Sequence, residues 1–324
     1  MTTTVGAVTT TKPAVPRLAR WRRPVPAPWD RRILWANLVC QIGIVVTGGL
    51  VRLTGSGLGC SSWPQCEPGE FTPVMHEAQT YHAFVEFGNR TLTGVLGVAA
   101  LLTLWVTWNS GRSKAYRWLG AVPLLGVVAQ ALIGGLVVLL HLHPATVSLH
   151  FVVSMVLVAA STALLVRHRE PDGAARPLVS VTSRRLTWAL AAVSVAVVVL
   201  GSVTTGAGPH SGDEEVAYRL ALDPVWAAKI HAWAVWAYAG VLLALLVTLR
   251  RQRAVAPRAW SAALVLLGVT LAQGLLGYVQ YFTGLPIWMV ATHMLGASLL
   301  VAAQTRQVFS VRERTFLEAA DVAA

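Results

Sequence analysis

The sequence predicts an all-α integral membrane protein, with eight transmembrane helices arranged as two four-helix bundles related by a pseudo-two-fold axis. Three observations predict it. Of the 324 residues, 55% are hydrophobic and only 12% charged, about half the charged fraction of a soluble domain. Long apolar runs alternate with short charged ones, and the runs reach the roughly 20 residues a helix needs to cross the hydrocarbon core. The two halves of the chain also resemble each other. Residues 129–134 read AQALIG and 272–277 read AQGLLG, and Gln130 precedes His150 by the same twenty positions that separate Gln273 from His293.

Residues 1–32, rich in Thr, Pro and Arg, read as a disordered cytoplasmic tail. The first span, 33–52, follows Arg22, Arg23, Arg31 and Arg32. It is too long for a signal h-region and lacks a small-residue cleavage site, so it reads as a retained helix. The remaining spans are roughly 81–107, 118–140, 146–166, 186–205, 225–249, 260–282 and 286–308. They divide the chain into an N-terminal half, 33–166, a cytoplasmic linker, 167–185, a C-terminal half, 186–308, and a cytoplasmic tail, 309–324. All but four of the 26 Lys and Arg residues (Arg52, Arg90, Arg219 and Lys229) fall on one side of these spans. The positive-inside rule therefore puts both termini in the cytoplasm and the loops 53–80 and 206–224 outside. The net charge of +12 does not point to nucleic acid, because the basic residues sit in short inter-helix loops and no nucleic-acid motif is present.

Polar residues inside spans mark candidate sites, because they are rare and costly there. His150, His231 and His293 lie near the outer starts of the fourth, sixth and eighth spans, each on the order of 10 Å deep at about 1.5 Å per residue. Asn89 in the second span has similar depth, and a shift of 142 places it opposite His231. His231 and His293 occupy repeat-related helices at one level. Two imidazoles facing each other across a bundle are how a four-helix unit ligates a haem iron axially. Zinc fits less well, since its sites want three or four ligands. The first half offers His150 with Asn89 in place of a second imidazole. His82, seven residues earlier on the same helix face, and His76, His141 and His143 in outer loops are further candidates there.

Glu86 lies three residues before Asn89, with Arg90 close enough to pair with it. It reads either as a structural ion pair or as a proton donor and acceptor beside a substrate. Gln130 and Gln273, near mid-span, suit hydrogen bonds between helices. Cys60 and Cys66 fall in the first outer loop, where a disulfide persists. Their C-x5-C spacing lacks the C-x2-C pattern common to thiol-redox and zinc sites, and a redox-active pair is the competing reading. Cys40 reads as a packing residue.

The stretch GGLVRLTGSGLGCSSWPQC, the helix histidines in their order, EFGNR at 86–90 and GSVTTGAGPHSGD in the second half resemble the haem A synthase family over roughly residues 33–308. The resemblance implies an oxidoreductase that converts haem O to haem A for cytochrome oxidase, oxidising a ring methyl to a formyl group in two oxygenation steps. It implies a haem b cofactor held by His231 and His293. It implies a substrate haem in the N-terminal half, near Glu86 and His150, and a disulfide between Cys60 and Cys66. On that expectation Asn89 belongs to the substrate-haem site, Glu86 manages protons as the catalytic group, and Arg52 and Arg90, at the outer edge, pair with the haem propionates. One departure stands out: many members have a histidine in Glu-x-x-His-Arg where this chain has Asn89.

The partners this implies are haem O, membrane lipid, the enzyme that makes haem O, and an electron donor; a homo-oligomer is compatible with the sequence. The expected location is the plasma membrane. Two other classes fit the bare pattern. One is a b-type cytochrome exchanging electrons with quinone and leaving haem unmodified. The other is a transporter built on parallel repeats, with the histidines as proton relays.

Overall fold

Helix formation follows from the apolar runs, and the ends follow from caps. The computed structural model describes residues 27–74, 81–213 and 218–315. Among these, eight helices are long and apolar enough to cross a membrane, so the chain is a multi-pass membrane protein. They are α1 (Ala27–Leu53), α2 (His82–Trp108), α3 (Lys114–Leu139), α4 (Pro144–Arg169), α5 (Val181–Ala207), α6 (Pro224–Arg250), α7 (Pro257–Phe282) and α8 (Ile287–Ser310). Two short strands, β1 (Ala175–Pro177) and β2 (Arg312–Arg314), pair antiparallel with Ala175 opposite Arg314.

Most helix ends run further than the predicted spans, while α2 and α8 begin and α3 ends one residue inside them. α1 starts at Ala27, so residues 27–32 of the expected tail are helical, and Phe309 and Ser310 belong to α8. Apolar windows stop at the first charged residues, whereas the backbone continues helical through them; at α3, α5 and α6 it begins at a side-chain cap. Ser113 and Ser180 accept hydrogen bonds from Tyr116 N–H and Ser183 N–H at the starts of α3 and α5, and Asp223 accepts from Val225 and Trp226 N–H at the start of α6. Pro144, Pro224 and Pro257 occupy first-turn positions, where the missing N–H costs nothing.

Helices α1, α2, α3 and α4 touch in sequence and close through α1–α4; α5, α6, α7 and α8 do the same through α5–α8. The two rings meet through α1–α8, α4–α8 and α4–α5. Exchanging each helix with the one four later maps this set of neighbours onto itself.

Two faces result. One carries the loops after α1, α3, α5 and α7 and includes the Cys60–Cys66 disulfide, and we call it the disulfide face. The opposite, basic face carries the loops after α2, α4 and α6. The largest apolar cluster lies toward the basic face of the second ring. It includes Leu242, Leu245 and Leu249 of α6, Ala259 and Leu266 of α7, and Leu300 and Ala303 of α8. Leu34 and Leu38 of α1, Tyr116 of α3 and Leu164 of α4 fill the corresponding end of the first ring. The interior toward the disulfide face is where the polar residues of interest lie. Large apolar side chains cover the exterior, as a lipid-facing surface requires; Phe282 is 77% exposed.

At the basic face, Asp172 accepts hydrogen bonds from Arg112 Nη2 (2.8 Å), Arg167 Nη2 (3.0 Å) and Ser113 N–H (2.9 Å), tying the segment after α4 to the α2–α3 turn. Burial pushes the Asp172 carboxyl up, but the hydrogen bonds and charge of Arg112, with those from Ser113, outweigh it and hold the group below its ordinary value.

Candidate functional site

The second ring brings the two expected ligands together. His231 on α6 and His293 on α8 come from diagonal helices of the ring. Both rings are half-buried, and each Nδ1 is buried with no hydrogen-bond partner among the described residues. The Val197 carbonyl lies beside the His231 ring without hydrogen-bonding geometry to that nitrogen. Unpaired buried nitrogens in an apolar bundle are costly unless something satisfies them.

Each imidazole lies over a glycine. A Cβ on Gly201 of α5 would come within 3.0 Å of His231 Cε1, and one on Gly277 of α7 within 3.4 Å of His293 Cε1. Gln273 fixes the α8 backbone from α7, its Nε2 donating to the His293 carbonyl at 3.0 Å. Two imidazoles from opposed helices, each with unsatisfied nitrogen, form a donor set that fits an iron porphyrin. Among the described residues no group of three His, Cys, Asp or Glu converges as a closed metal site would require.

The first ring repeats this framework. Gln130 Nε2 donates to the His150 carbonyl at 2.9 Å, and His150 Cε1 lies 3.5 Å from where a Gly134 Cβ would be. Asn89 Nδ2 stands 3.7 Å from the Cβ position of Gly48, and Asn89 Oδ1 is buried without a partner, as is His150 Nδ1. The equivalence read from the sequence between Gln130–His150 and Gln273–His293 is thus a pair of matching hydrogen bonds. The other candidate histidines are engaged or remote. His82 is the first residue of α2, with Nδ1 2.8 Å from Ser56 Oγ. His143 caps α4, and His141 occupies the preceding turn with φ 49°. His76 lies outside the described residues.

The loop after α1 folds over the first ring and is held from below by Glu86. Cys60 N–H donates to Glu86 Oε2 at 2.8 Å, and Arg90 Nε donates to Glu86 Oε1 at 3.0 Å, with Nη2 bonding the same oxygen. Arg90 Nη1 then donates to the carbonyls of Ser62 (2.8 Å) and Gln65 (3.1 Å). Both readings of Glu86 placed Arg90 beside it; the engagement with Cys60 was not foreseen. The loop also depends on close backbone approach. A Cβ on Gly59 would collide with the His82 carbonyl carbon, and one on Gly135 of α3 would lie 2.7 Å from the Trp63 ring. Within this loop Cys60 and Cys66 are fully buried and joined by a disulfide.

Arg52 turns toward the second half. Its Nε donates to the His210 carbonyl at 2.8 Å and its Nη2 to the Thr205 carbonyl at 3.2 Å. Gly57 N–H donates to the Gly212 carbonyl nearby, and His210 Nε2 hydrogen-bonds the Leu285 carbonyl at 3.0 Å. This clasp of Arg52, His210 and Leu285 joins the two rings at the disulfide face. Sequence reasoning did not assign His210, although it falls in GSVTTGAGPHSGD. Its position in an outer loop gave no reason to separate it from a solvated histidine. Met294, next to His293, is the other unassigned contact: its Sδ would meet a Gly49 Cβ, so α8 and α1 approach closely there.

Comparison with known proteins now bears on this arrangement. The profile of the COX15-CtaA family, cytochrome oxidase assembly proteins, matches residues 31–305. The haem A synthase of Geobacillus kaustophilus (strain HTA426) is 27% identical over 306 residues, covering 86% of this chain and 94% of its own. That of Bacillus mycoides (strain KBAB4) is 26% identical over 291 residues, covering 84% and 91%. That of Lysinibacillus sphaericus (strain C3-41) is 34% identical over 140 residues, covering 40% and 43%.

Proposed function

Since this chain belongs to the COX15-CtaA family of cytochrome oxidase assembly proteins, we propose that it is a haem A synthase, an oxidoreductase converting haem O to haem A. The finer reading is that it oxidises a porphyrin methyl to a formyl group in successive steps. The observation that carries it is the pair His231 and His293, opposed across the second ring with unsatisfied nitrogens, within a chain whose relatives are haem A synthases.

In this reading His231 and His293 hold a haem b iron, and His150, Asn89, Arg90 and Arg52 surround the substrate haem in the first ring. The haem supplies the electron transfer that side chains cannot. The protein contributes position and charge. The glycines at 201 and 277 let the histidine-bearing helices close on their neighbours, and Gln130 and Gln273 lock the backbone at His150 and His293. Arg52 and Arg90 lie at the disulfide face, where their charge favours the propionate edge of a porphyrin. Glu86 manages protons at the substrate while its contacts with Cys60 and Arg90 fix the covering loop. That loop, pinned by the disulfide, excludes water from the reacting methyl. The two rings form a pseudo-two-fold pair, supported by the symmetric set of helix neighbours and the matched glutamine bonds. Both termini lie in the cytoplasm and the disulfide face outside the plasma membrane, as the Lys and Arg distribution supports.

The deciding experiment is expression with and without a source of haem O, followed by pigment extraction. Haem A is expected only with the haem O source. A haem-bearing protein that leaves haem O unchanged would identify an electron-transfer cytochrome, and a colourless one a transporter.

A further inference from the structure

The two rings present the same framework with one chemical difference. In each, two polar side chains on diagonal helices stand beside glycines of neighbouring helices: His231 at Gly201 and His293 at Gly277 in the second, Asn89 at Gly48 and His150 at Gly134 in the first. In the second ring both are imidazoles. In the first, the α2 position carries a carboxamide, whose nitrogen lone pair is delocalised into the carbonyl and which therefore offers iron no nitrogen ligand. We propose that the first ring binds its haem through His150 alone and turns the opposite axial position toward Asn89, leaving that position open to a small exogenous ligand such as water or a diatomic gas. This rests on the functional reading above and deepens it.

Among the described residues, none of the other candidates in the first ring supplies the missing ligand. His82 is at the start of α2 with Nδ1 bonded to Ser56. Both oxygens of Glu86 are engaged, by Cys60 and by Arg90. The Met294 thioether packs at Gly49, the neighbour of Gly48 on the next helix position and so turned about 100° away, toward α8. Asn89 has a buried, unpartnered Oδ1 and an amide N–H pair. Its N–H suits hydrogen bonding to a ligand on the iron's open face.

The test uses the purified full chain carrying its own haem, loaded with haem O and reduced, with carbon monoxide as the probe. Uptake of haem O is measured separately by pigment extraction. The wild type is expected to bind carbon monoxide at the loaded haem, with a five-coordinate spectrum before the gas is added. Asn89→His is expected to give a six-coordinate low-spin spectrum and weaken carbon monoxide binding by at least about tenfold. Asn89→Leu is expected to keep carbon monoxide binding and shift the bound C–O stretch to higher wavenumber, through loss of a hydrogen bond. If Asn89→His does not fold, the wild-type spectrum and the Leu variant still decide. A loaded wild type that is six-coordinate and refuses carbon monoxide overturns the open position. An unchanged stretch in Asn89→Leu overturns the role of the amide. Failure to take up haem O at all overturns the functional reading, and the proposal with it.

Discussion

Glu86 shows how far single residues could be read from sequence. Its i,i+4 relation to Arg90 made an ion pair legible, because that spacing brings side chains together on any helix. Its bond to the Cys60 N–H was not legible, since it depends on the path of a loop whose irregular backbone no periodicity describes. Arg52 shows the same limit: its bonds to the His210 carbonyl of the loop after α5 and to the Thr205 carbonyl at the end of α5 depend on a loop path that no periodicity describes. The histidines were legible because depth in a span is a count of residues. On the functional reading, Glu86→Gln should abolish conversion of haem O. It should leave the haem b absorption spectrum intact, because Glu86 lies in the other ring. His231→Ala or His293→Ala should remove the bis-imidazole low-spin signal, seen by paramagnetic resonance of the oxidised protein. Survival of that signal in both variants would take the ligand assignment away.

The helices were legible as elements but not in their limits. Apolar windows stop where charge begins, whereas the helices run on to their caps and carry charged ends such as Arg31 and Arg250 within them. Asp223 is one such cap, with Oδ1 2.8 Å from Val225 N and 2.9 Å from Trp226 N. Asp223→Ala should cost about 1 kcal/mol, and Asp223→Asn much less, since the amide oxygen still accepts; thermal unfolding in detergent would read both. Gly59 belongs to the contact between the covering loop and α2. An added methyl meets backbone rather than a movable side chain. Gly59→Ala should therefore destabilise by about 1–3 kcal/mol. It should also speed reduction of the Cys60–Cys66 disulfide by an added thiol, as the loop lifts from α2. Unchanged reduction kinetics would count against that contact as the loop's anchor.

At the scale of the whole molecule, the repeat was legible from matched intervals, and the eight-helix plan from hydropathy. How the rings meet was not, because helix-to-helix docking in lipid depends on local fit such as Met294 against Gly49 rather than on any apolar stripe. The basic-face network was equally hidden. Asp172 reads as a loop acid, yet it gathers Arg112, Arg167 and Ser113. Its carboxyl is held below the ordinary value of 3.8. The stability it contributes is therefore present above that value and lost as pH falls through the lower folded one. Asp172→Asn should lower stability by about 1–3 kcal/mol at neutral pH, toward the small end because water at this face screens the charges. It should also remove this residue's part of the acid-induced decline in melting temperature; an identical acid profile would refute the assignment. The antiparallel pairing of Arg312–Arg314 with Ala175–Pro177, extended by Gly173 N–H donating to the Thr315 carbonyl, has a practical corollary. A chain shortened before Arg312 loses its stitch to the segment between the rings, and a purification handle fused directly after Thr315 crowds that seam. Handles belong at the amino end, or behind a generous spacer.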